Sequence, residues 1–157
     1  MRIGAKLTNA RAETIAEMPS FRSAWKRRRC LIAADGFYEW QRDGATGIPY
    51  RVSYEDERPF AFAGLWERWN GPDGPVRSCT VVTTAANAVL APIHHRMPVV
   101  IDPPNFARWL GLEGATGDEL HALLAPREMA GFRPYRVSER VDKVQNNDPG
   151  ILTPLAA

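Results

Sequence analysis

The sequence has few cysteines, few lysines and no long hydrophobic run. Its two cysteines, Cys30 and Cys79, form no CxxC motif, which argues against a disulfide framework or a zinc site and favours a reducing compartment. We interpret both as buried packing residues. No segment approaches the ~20 apolar residues of a membrane span, and the first residues lack the apolar region of a signal peptide. We therefore expect a cytoplasmic protein with no membrane partner.

The composition is that of a soluble globular protein. The 157 residues are 45% hydrophobic and 24% charged, with no internal repeat, so we predict a single domain over residues 1–157. A chain of this length needs no metal or cofactor to fold, and we expect none. Only three of the 20 basic residues are lysine. Arginine suits phosphate and stacks on bases, so two interpretations stay open: nucleic-acid binding, or the codon bias of a GC-rich genome.

The secondary-structure signals change from helix to strand near residue 30. Helices are predicted at 11–17 and 19–29, and later at 85–90, 105–110 and 118–124. Strands are predicted at 30–34, 37–40, 50–54, 60–66, 79–83, 99–101 and 132–137. The strands do not alternate regularly with helices. This pattern predicts an α+β fold with a mainly antiparallel, barrel-like sheet and short flanking helices.

Glu39 is a candidate for general acid–base chemistry. It lies between Tyr38 and Trp40 on a predicted strand. If its neighbours are buried, its pKa rises toward neutrality, which suits proton transfer. A solvent-facing strand residue is the alternative.

His94 and Arg96 stand in a His-His-Arg-Met-Pro segment between a predicted helix and a strand. A neutral imidazole there can shuttle protons, and the arginine can hold a phosphate. The alternative is that His94 packs against the core while His95 is exposed. The adjacent histidines lack a carboxylate or cysteine at ligand spacing, so we predict no metal site.

Further candidates for contacts with nucleic acid are two residues near the start of the chain, a run of basic residues and three tryptophans. Asn9 is a plausible N-cap, and Arg11 at the start of the predicted helix binds either phosphate or a carboxylate. The tryptophans can stack on bases or fill the core, and the run 27–29 is either a phosphate patch or a solvated helix end. The tryptophans concerned are Trp40, Trp66 and Trp69.

Five segments in this order resemble the SOS-response-associated peptidase (SRAP) family of abasic-site processing proteins. They are Asn-Ala-Arg-Ala-Glu-Thr from residue 9, Arg-Cys-Leu-Ile then Ala-Asp-Gly-Phe-Tyr-Glu-Trp over 29–40, Phe-Ala-Gly-Leu-Trp-Glu from 62, Thr-Thr-Ala-Ala-Asn from 83 and His-His-Arg-Met-Pro from 94. The resemblance implies a protein that binds single-stranded DNA and covalently captures the ring-opened aldehyde of an abasic site. In the family an N-terminal cysteine, exposed by methionine removal, closes a thiazolidine on the aldehyde.

The resemblance also implies roles for particular residues. Asn9 would position the nucleophile or substrate, and Glu39 with His94 would transfer protons. Phosphate or DNA contacts would come from Arg11, Trp40, Thr83 and Arg96. The family name refers to self-cleavage of a leader, and no other protease site is expected.

The family's Met-Cys-Gly start is expected several dozen residues before the Asn-Ala-Arg segment, whereas Met1-Arg2 stands almost directly before it. We therefore expect a domain that is incomplete at its N-terminus, with the nucleophilic cysteine missing. Two consequences follow if this start is native. An exposed patch would favour self-association, and the Met1 α-amine would form a reversible imine. The alternative function is a non-catalytic single-stranded DNA-binding module or an inactive remnant.

Overall fold

The structure, a computed structural model, describes residues 7–43 and 46–155. Met1 and its α-amine lie outside the described residues. The chain forms two compact units. Unit 1 contains the described parts of 1–33, 60–85 and 98–126, and unit 2 contains those of 34–59, 86–97 and 127–157. The prediction of a single domain stays a prediction.

The elements are short except for the two strands of one hairpin. The strands are β1 (Asn9–Arg11), β2 (Arg29–Ala34), β3 (Phe37–Asp43), β4 (Thr46–Tyr54), β5 (Phe60–Gly71), β6 (Gly74–Ala85), β7 (Arg96–Pro98), β8 (Val100–Ile101) and β9 (Phe132–Arg136). The helices are α1 (Arg22–Arg27), α2 (Phe106–Leu110) and α3 (Gly117–Ala122). Single 3₁₀ turns are formed by Pro103–Asn105, Glu139–Asp142 and Pro149–Leu152.

Unit 1 is built on a sheet with the order β1-β6-β5-β2, with β8 also paired to β5. Strands β5 and β6 form a long antiparallel hairpin, and β1 runs parallel to β6. The turn of the hairpin needs a glycine, because Gly74 has a φ of 109°. The inner half of the hairpin packs on a core of apolar side chains from the sheet and the helices. Its most buried large members are Ile15, Leu65, Val82, Trp109 and Leu124.

Unit 2 is built on an antiparallel sheet with the order β3-β4-β9. Phe132 on β9 lies edge-on to Tyr54, with ring centroids 4.2 Å apart, and also contacts Phe37. Gly36 precedes β3 at a point where the buried Arg51 guanidinium passes, and a Cβ there would lie 2.9 Å from Arg51 Nε. The glycine therefore makes room for an arginine that also donates to Tyr135 Oη at 2.6 Å.

The predicted fold class, an α+β fold with a mainly antiparallel sheet and short flanking helices, is confirmed. The helix predicted at 11–17 is wrong. Asn9–Arg11 form a strand that pairs with β6. The Ala12 amide donates to the Thr83 carbonyl of β6, and the Val81 amide of β6 donates to the Thr8 carbonyl. The chain then turns through i to i+3 bonds, such as the Thr14 amide to the Arg11 carbonyl at 3.2 Å.

The helix predicted at 85–90 is also wrong. Strand β6 continues to Ala85, and the side chain of Asn87 then caps a tight turn. Asparagine favours such turns because its side chain competes for backbone amides that a helix would use.

The two cysteines are less buried than predicted. Cys30 is half-buried on β2, and Cys79 is exposed on β6. Cys79 is exposed because β6 reaches the core only at Thr80, and residues 75–79 before it are exposed on both faces. In the described part of the chain, no helix is long and apolar enough to cross a membrane.

Candidate functional site

Unit 2 brings together two of the predicted catalytic residues, Glu39 and His94. Glu39 lies on β3, and its Oε2 is 3.9 Å from His94 Nδ1. The carboxyl is 23% exposed and the imidazole 30% exposed, so both groups are partly withdrawn from water yet open to a ligand. This distance is too long for a direct hydrogen bond, so the two groups act on each other through their charges.

Burial raises the pKa of the Glu39 carboxyl. The charge of His94 and a hydrogen bond from the Trp40 backbone act in the opposite direction and offset part of this effect. Desolvation dominates because the charged carboxylate loses more water than these two partners replace. A protonated fraction of Glu39 therefore persists to higher pH than for an ordinary glutamate.

The backbone of Arg96 offers both a hydrogen-bond donor and an acceptor to Nδ1 of His94. His94 Nδ1 lies 3.1 Å from the Arg96 amide nitrogen and 3.1 Å from the Arg96 carbonyl oxygen. An unprotonated Nδ1 accepts from the amide, and a protonated Nδ1 donates to the carbonyl. Nδ1 therefore has a main-chain partner in either state.

The turn that carries His94 depends on Asn87, one of the few polar residues that are buried. Asn87 Oδ1 accepts from the Leu90 amide at 3.1 Å, and Asn87 Nδ2 donates to the Arg127 carbonyl at 3.2 Å. The His94 amide then donates to the Leu90 carbonyl at 2.9 Å. Asn87 thus connects the start of the turn to the segment before β9 and fixes where the imidazole emerges.

Gln41 is a site residue that the sequence analysis missed. Its Nε2 donates to the carbonyl of Pro92 at 3.0 Å, two residues before His94, and its Oε1 accepts from Tyr50 Oη at 3.3 Å. Because strand residues two apart share a face, Gln41 lies on the same side of β3 as Glu39. That alternation was the signal that could have found it.

Trp40 lies on the other face of β3 from Glu39, since neighbouring strand residues point to opposite sides. Its indole Nε1 donates to Asp142 Oδ1 at 2.7 Å, which fixes the ring while 36% of the residue stays exposed. The tryptophans divide clearly. Trp25 and Trp109 fill the core of unit 1, whereas Trp40, Trp66 and Trp69 are exposed.

In unit 1, Asn9, Arg11 and Thr83 lie on one face of the paired strands β1 and β6. The parallel register sets Asn9 beside Val81 and Arg11 beside Thr83, while Ala10 points into the core. Asn9 and Arg11 are therefore exposed together. The prediction that Asn9 caps a helix and that Arg11 begins one is wrong, because both belong to a strand.

The basic run 27–29 is not a continuous phosphate patch. Arg29 donates to the carbonyls of Trp25 and Trp109, and its partial burial lowers its pKa. Arg28 forms an ion pair with Glu67, which leaves Arg27 as the exposed member. Among residues 7–43 and 46–155, no three His, Cys, Asp or Glu side chains are grouped so that they could hold a metal ion.

Comparisons with known proteins identify related chains and related folds. The model of the family described as SOS response associated peptidase (SRAP) matches residues 1–144. The abasic site processing protein YoqW of Bacillus subtilis is 44% identical over 153 residues, which are 96% of this chain and 68% of the relative. The abasic site processing protein HMCES of Gallus gallus is 31% identical, over 96% of this chain and 51% of the relative.

Solved structures give the same picture at the level of the fold. A crystal structure of a protein from Bacteroides thetaiotaomicron superposes with a TM-score of 0.89 at 31% identity, over 99% of this chain and 68% of that chain. A phage-related protein from Bordetella bronchiseptica superposes with a TM-score of 0.65 at 26% identity, over 85% of this chain and 64% of that chain.

Proposed function

This chain belongs to the SOS response associated peptidase family, and we propose that it binds single-stranded DNA and reacts with the aldehyde of an abasic site. Two related proteins, YoqW and HMCES, are named abasic site processing proteins. The observation that carries the proposal is the partly buried pair of Glu39 and His94, 3.9 Å apart. A partly buried carboxyl beside an imidazole suits the proton transfers that imine formation requires.

The proposed reaction begins with an amine. The α-amine of the N-terminal residue adds to the aldehyde carbon and gives a carbinolamine, and protonation of the new hydroxyl lets it leave as water. The product is an imine. Where the N-terminal residue is a cysteine, its thiolate then adds to the imine carbon and the nitrogen takes up a proton, which closes a thiazolidine.

In this proposal Glu39 and His94 divide the proton work. The raised pKa of Glu39 keeps a fraction of it protonated, so it is suited to protonate the leaving hydroxyl. A His94 whose Nδ1–H donates to the Arg96 carbonyl has an unprotonated Nε2, which accepts a proton from the attacking amine. The same pair would transfer protons during self-cleavage of a leader, the peptidase activity in the family name.

The other predicted site residues are proposed to hold DNA. Trp40 offers an exposed ring that Asp142 keeps in place, which suits stacking on a base because little conformational freedom is lost. Arg11 and Arg96 are proposed to bind phosphates. Asn9 and Thr83 stand on the same strand face as Arg11, and we propose that they contact the sugar-phosphate backbone or position the nucleophile.

A gel assay with paired oligonucleotides tests the proposal. The protein is incubated with a single-stranded oligonucleotide carrying one abasic aldehyde, and in parallel with the same strand carrying a tetrahydrofuran analogue that has no aldehyde. Borohydride is added to half of each reaction to reduce any imine. We expect a denaturation-resistant adduct with the aldehyde strand and none with the analogue. Absence of an adduct with and without borohydride would overturn the proposal.

A non-catalytic single-stranded DNA-binding module is the second candidate. The exposed, fixed ring of Trp40 favours it, because a stacking platform binds bases without chemistry. The same assay separates the two functions. Equal, salt-dependent binding of both strands with no adduct would support the binding module. Absence of binding to either strand would indicate an inactive remnant.

A further inference from the structure

The outer half of the β5–β6 hairpin leaves the core and is exposed on both faces. Residues 60–65 of β5 are buried, whereas residues 66–70 are exposed, and 75–79 of β6 are exposed in the same way. We call the segments 66–71 and 74–79 the hairpin arm. A sheet segment that buries neither face contributes little to the core, so its side chains need another explanation.

The register of the arm separates its side chains into two different faces. Residues directly opposite each other in an antiparallel pair share a face. Trp66 lies opposite Cys79 and Arg68 opposite Arg77, and these four residues form what we call the arginine face. The other face carries Glu67 opposite Ser78 and Trp69 opposite Val76.

The arginine face concentrates positive charge without a countercharge. Side chains directly opposite have Cβ atoms about 5 Å apart, and like charges in that position destabilise a sheet. Across the described residues, neither Arg68 nor Arg77 forms an ion pair. Glu67 belongs to the opposite face and is paired with Arg28, and Asp73 lies in the turn beyond the pair. The two guanidinium groups are therefore ready to bind anions.

The opposite face carries an aromatic ring at the tip of the arm. The Trp69 ring lies against Gly71 and takes the space that a Cβ would need. Half of Trp69 stays exposed.

We propose that the arginine face is a second nucleic-acid contact, separate from the Glu39–His94 pair. Arg68 and Arg77 would bind phosphates of single-stranded DNA, and Trp66, which is 37% exposed, would stack on a base. Charge complementarity selects this occupant, because a second copy of the chain would bring the same two arginines against themselves at a symmetric contact. The choice of DNA as the polymer rests on the proposed function.

Cys79 supplies a probe within the arginine face itself. It is exposed, whereas Cys30 is half-buried and burial raises its thiol pKa, so alkylation by a maleimide is expected at Cys79 first. We expect a saturating undamaged single-stranded oligonucleotide to slow alkylation of Cys79 at least about fivefold. An unchanged Cys79 rate with bound DNA would overturn the proposal.

A charge-matched pair of variants tests the arginines. The arm variant carries Arg68→Gln and Arg77→Gln together. The control variant carries Arg22→Gln and Lys26→Gln, which remove the same amount of charge at two exposed positions of α1. For the arm variant we expect about tenfold weaker binding of undamaged single-stranded DNA. The slope of log K against log salt should fall by about 1.4, since each phosphate contact contributes about 0.7. An equal loss of DNA affinity in both variants would mean that only the net charge of the protein matters, and it would overturn the proposal.

The adduct assay separates this inference from the proposed function. The arm variant should need more DNA but form adduct at the wild-type rate once saturated. If adducts form, DNA does not protect Cys79 and the arm variant binds DNA as the wild type does, the arm proposal fails while the proposed function stands. If Cys79 is protected by undamaged DNA and no adduct forms, the proposed chemistry fails and the arm contact stands. Protection that rises with protein concentration without DNA, together with dimers in sedimentation, would indicate self-association and overturn the proposal.

Discussion

The two groups of predicted site residues are held in position by different parts of the chain. In unit 1 the face that carries Asn9 and Arg11 is set by the main chain, through the parallel pairing of β1 with β6. In unit 2 the position of His94 depends on side chains, since Asn87 and Gln41 hold the turn that carries it.

This difference implies different responses to substitution. A side chain on a face that is set by backbone pairing can be changed without moving its neighbours, so its loss should affect ligand contacts alone. A side chain that holds a turn affects every residue on that turn. Asn87 and Gln41 should therefore change chemistry without contacting DNA, whereas Arg11 should change DNA affinity with little effect on chemistry.

The largest expected effect comes from Glu39→Gln, which removes the acid and keeps its shape. We expect adduct formation at saturating abasic DNA to slow by at least about 100-fold, the lower end of what general acid–base catalysis contributes. Arg11→Gln should mainly raise the DNA concentration needed for half-maximal rate. Single-turnover kinetics over a DNA titration measures both. A slower saturated rate for Arg11→Gln and a normal one for Glu39→Gln would invert the comparison.

The second effect is on stability. Asn87→Ala leaves the Arg127 carbonyl without its side-chain donor and the Leu90 amide with only its bond to the Asn87 carbonyl, so the free energy of unfolding should fall by about 1–3 kcal/mol. Asn9→Ala is the matched control on an exposed strand position and should stay within about 0.5 kcal/mol of wild type. Urea unfolding measures both. Similar losses would mean that the two groups are held in the same way.

A smaller effect is expected from Gln41→Leu, which keeps the size of the side chain and removes its hydrogen bond to the Pro92 carbonyl. The saturated rate of adduct formation should fall about fivefold, in line with about 1 kcal/mol for one hydrogen bond. DNA affinity should stay unchanged. Tyr50→Phe loses the longer 3.3 Å bond to Gln41 and should have less effect. A purely structural role for Gln41 would lower stability and leave the pH profile of the rate unchanged.

The smallest effect is a pH dependence of stability. Because the folded pKa of Glu39 is raised, the folded state holds this proton more tightly than the unfolded state. Its contribution is complete below the ordinary glutamate range and is lost as the pH rises through the folded pKa. Glu39→Gln should therefore stabilise the protein near pH 7 by less than about 1 kcal/mol, with the gain vanishing in acid. Unfolding curves at several pH values measure this, and a gain that grows toward acid would contradict it.

The sequence predicted much of the sheet and part of the site. The strands came from dense β-branched and aromatic runs, and the aromatic neighbours of Glu39 marked its half-buried position. Residues 11–17 were predicted as a helix because their local pattern favours one, but Arg11 pairs with β6 and the residues after it form turns. The partners of Gln41 and Asn87 lie up to 51 residues away in the chain, where a single sequence gives no direct signal.

The main-chain bracket around His94 also decides which residues can vary at position 96. The two atoms that hold Nδ1 belong to the backbone, so any residue except proline would supply both of them. If the arginine side chain binds phosphate as proposed, it can be exchanged without removing the main-chain atoms that hold the imidazole. At residue 96 the main chain positions the imidazole and, in the proposed function, the side chain holds DNA, so the two roles can change independently.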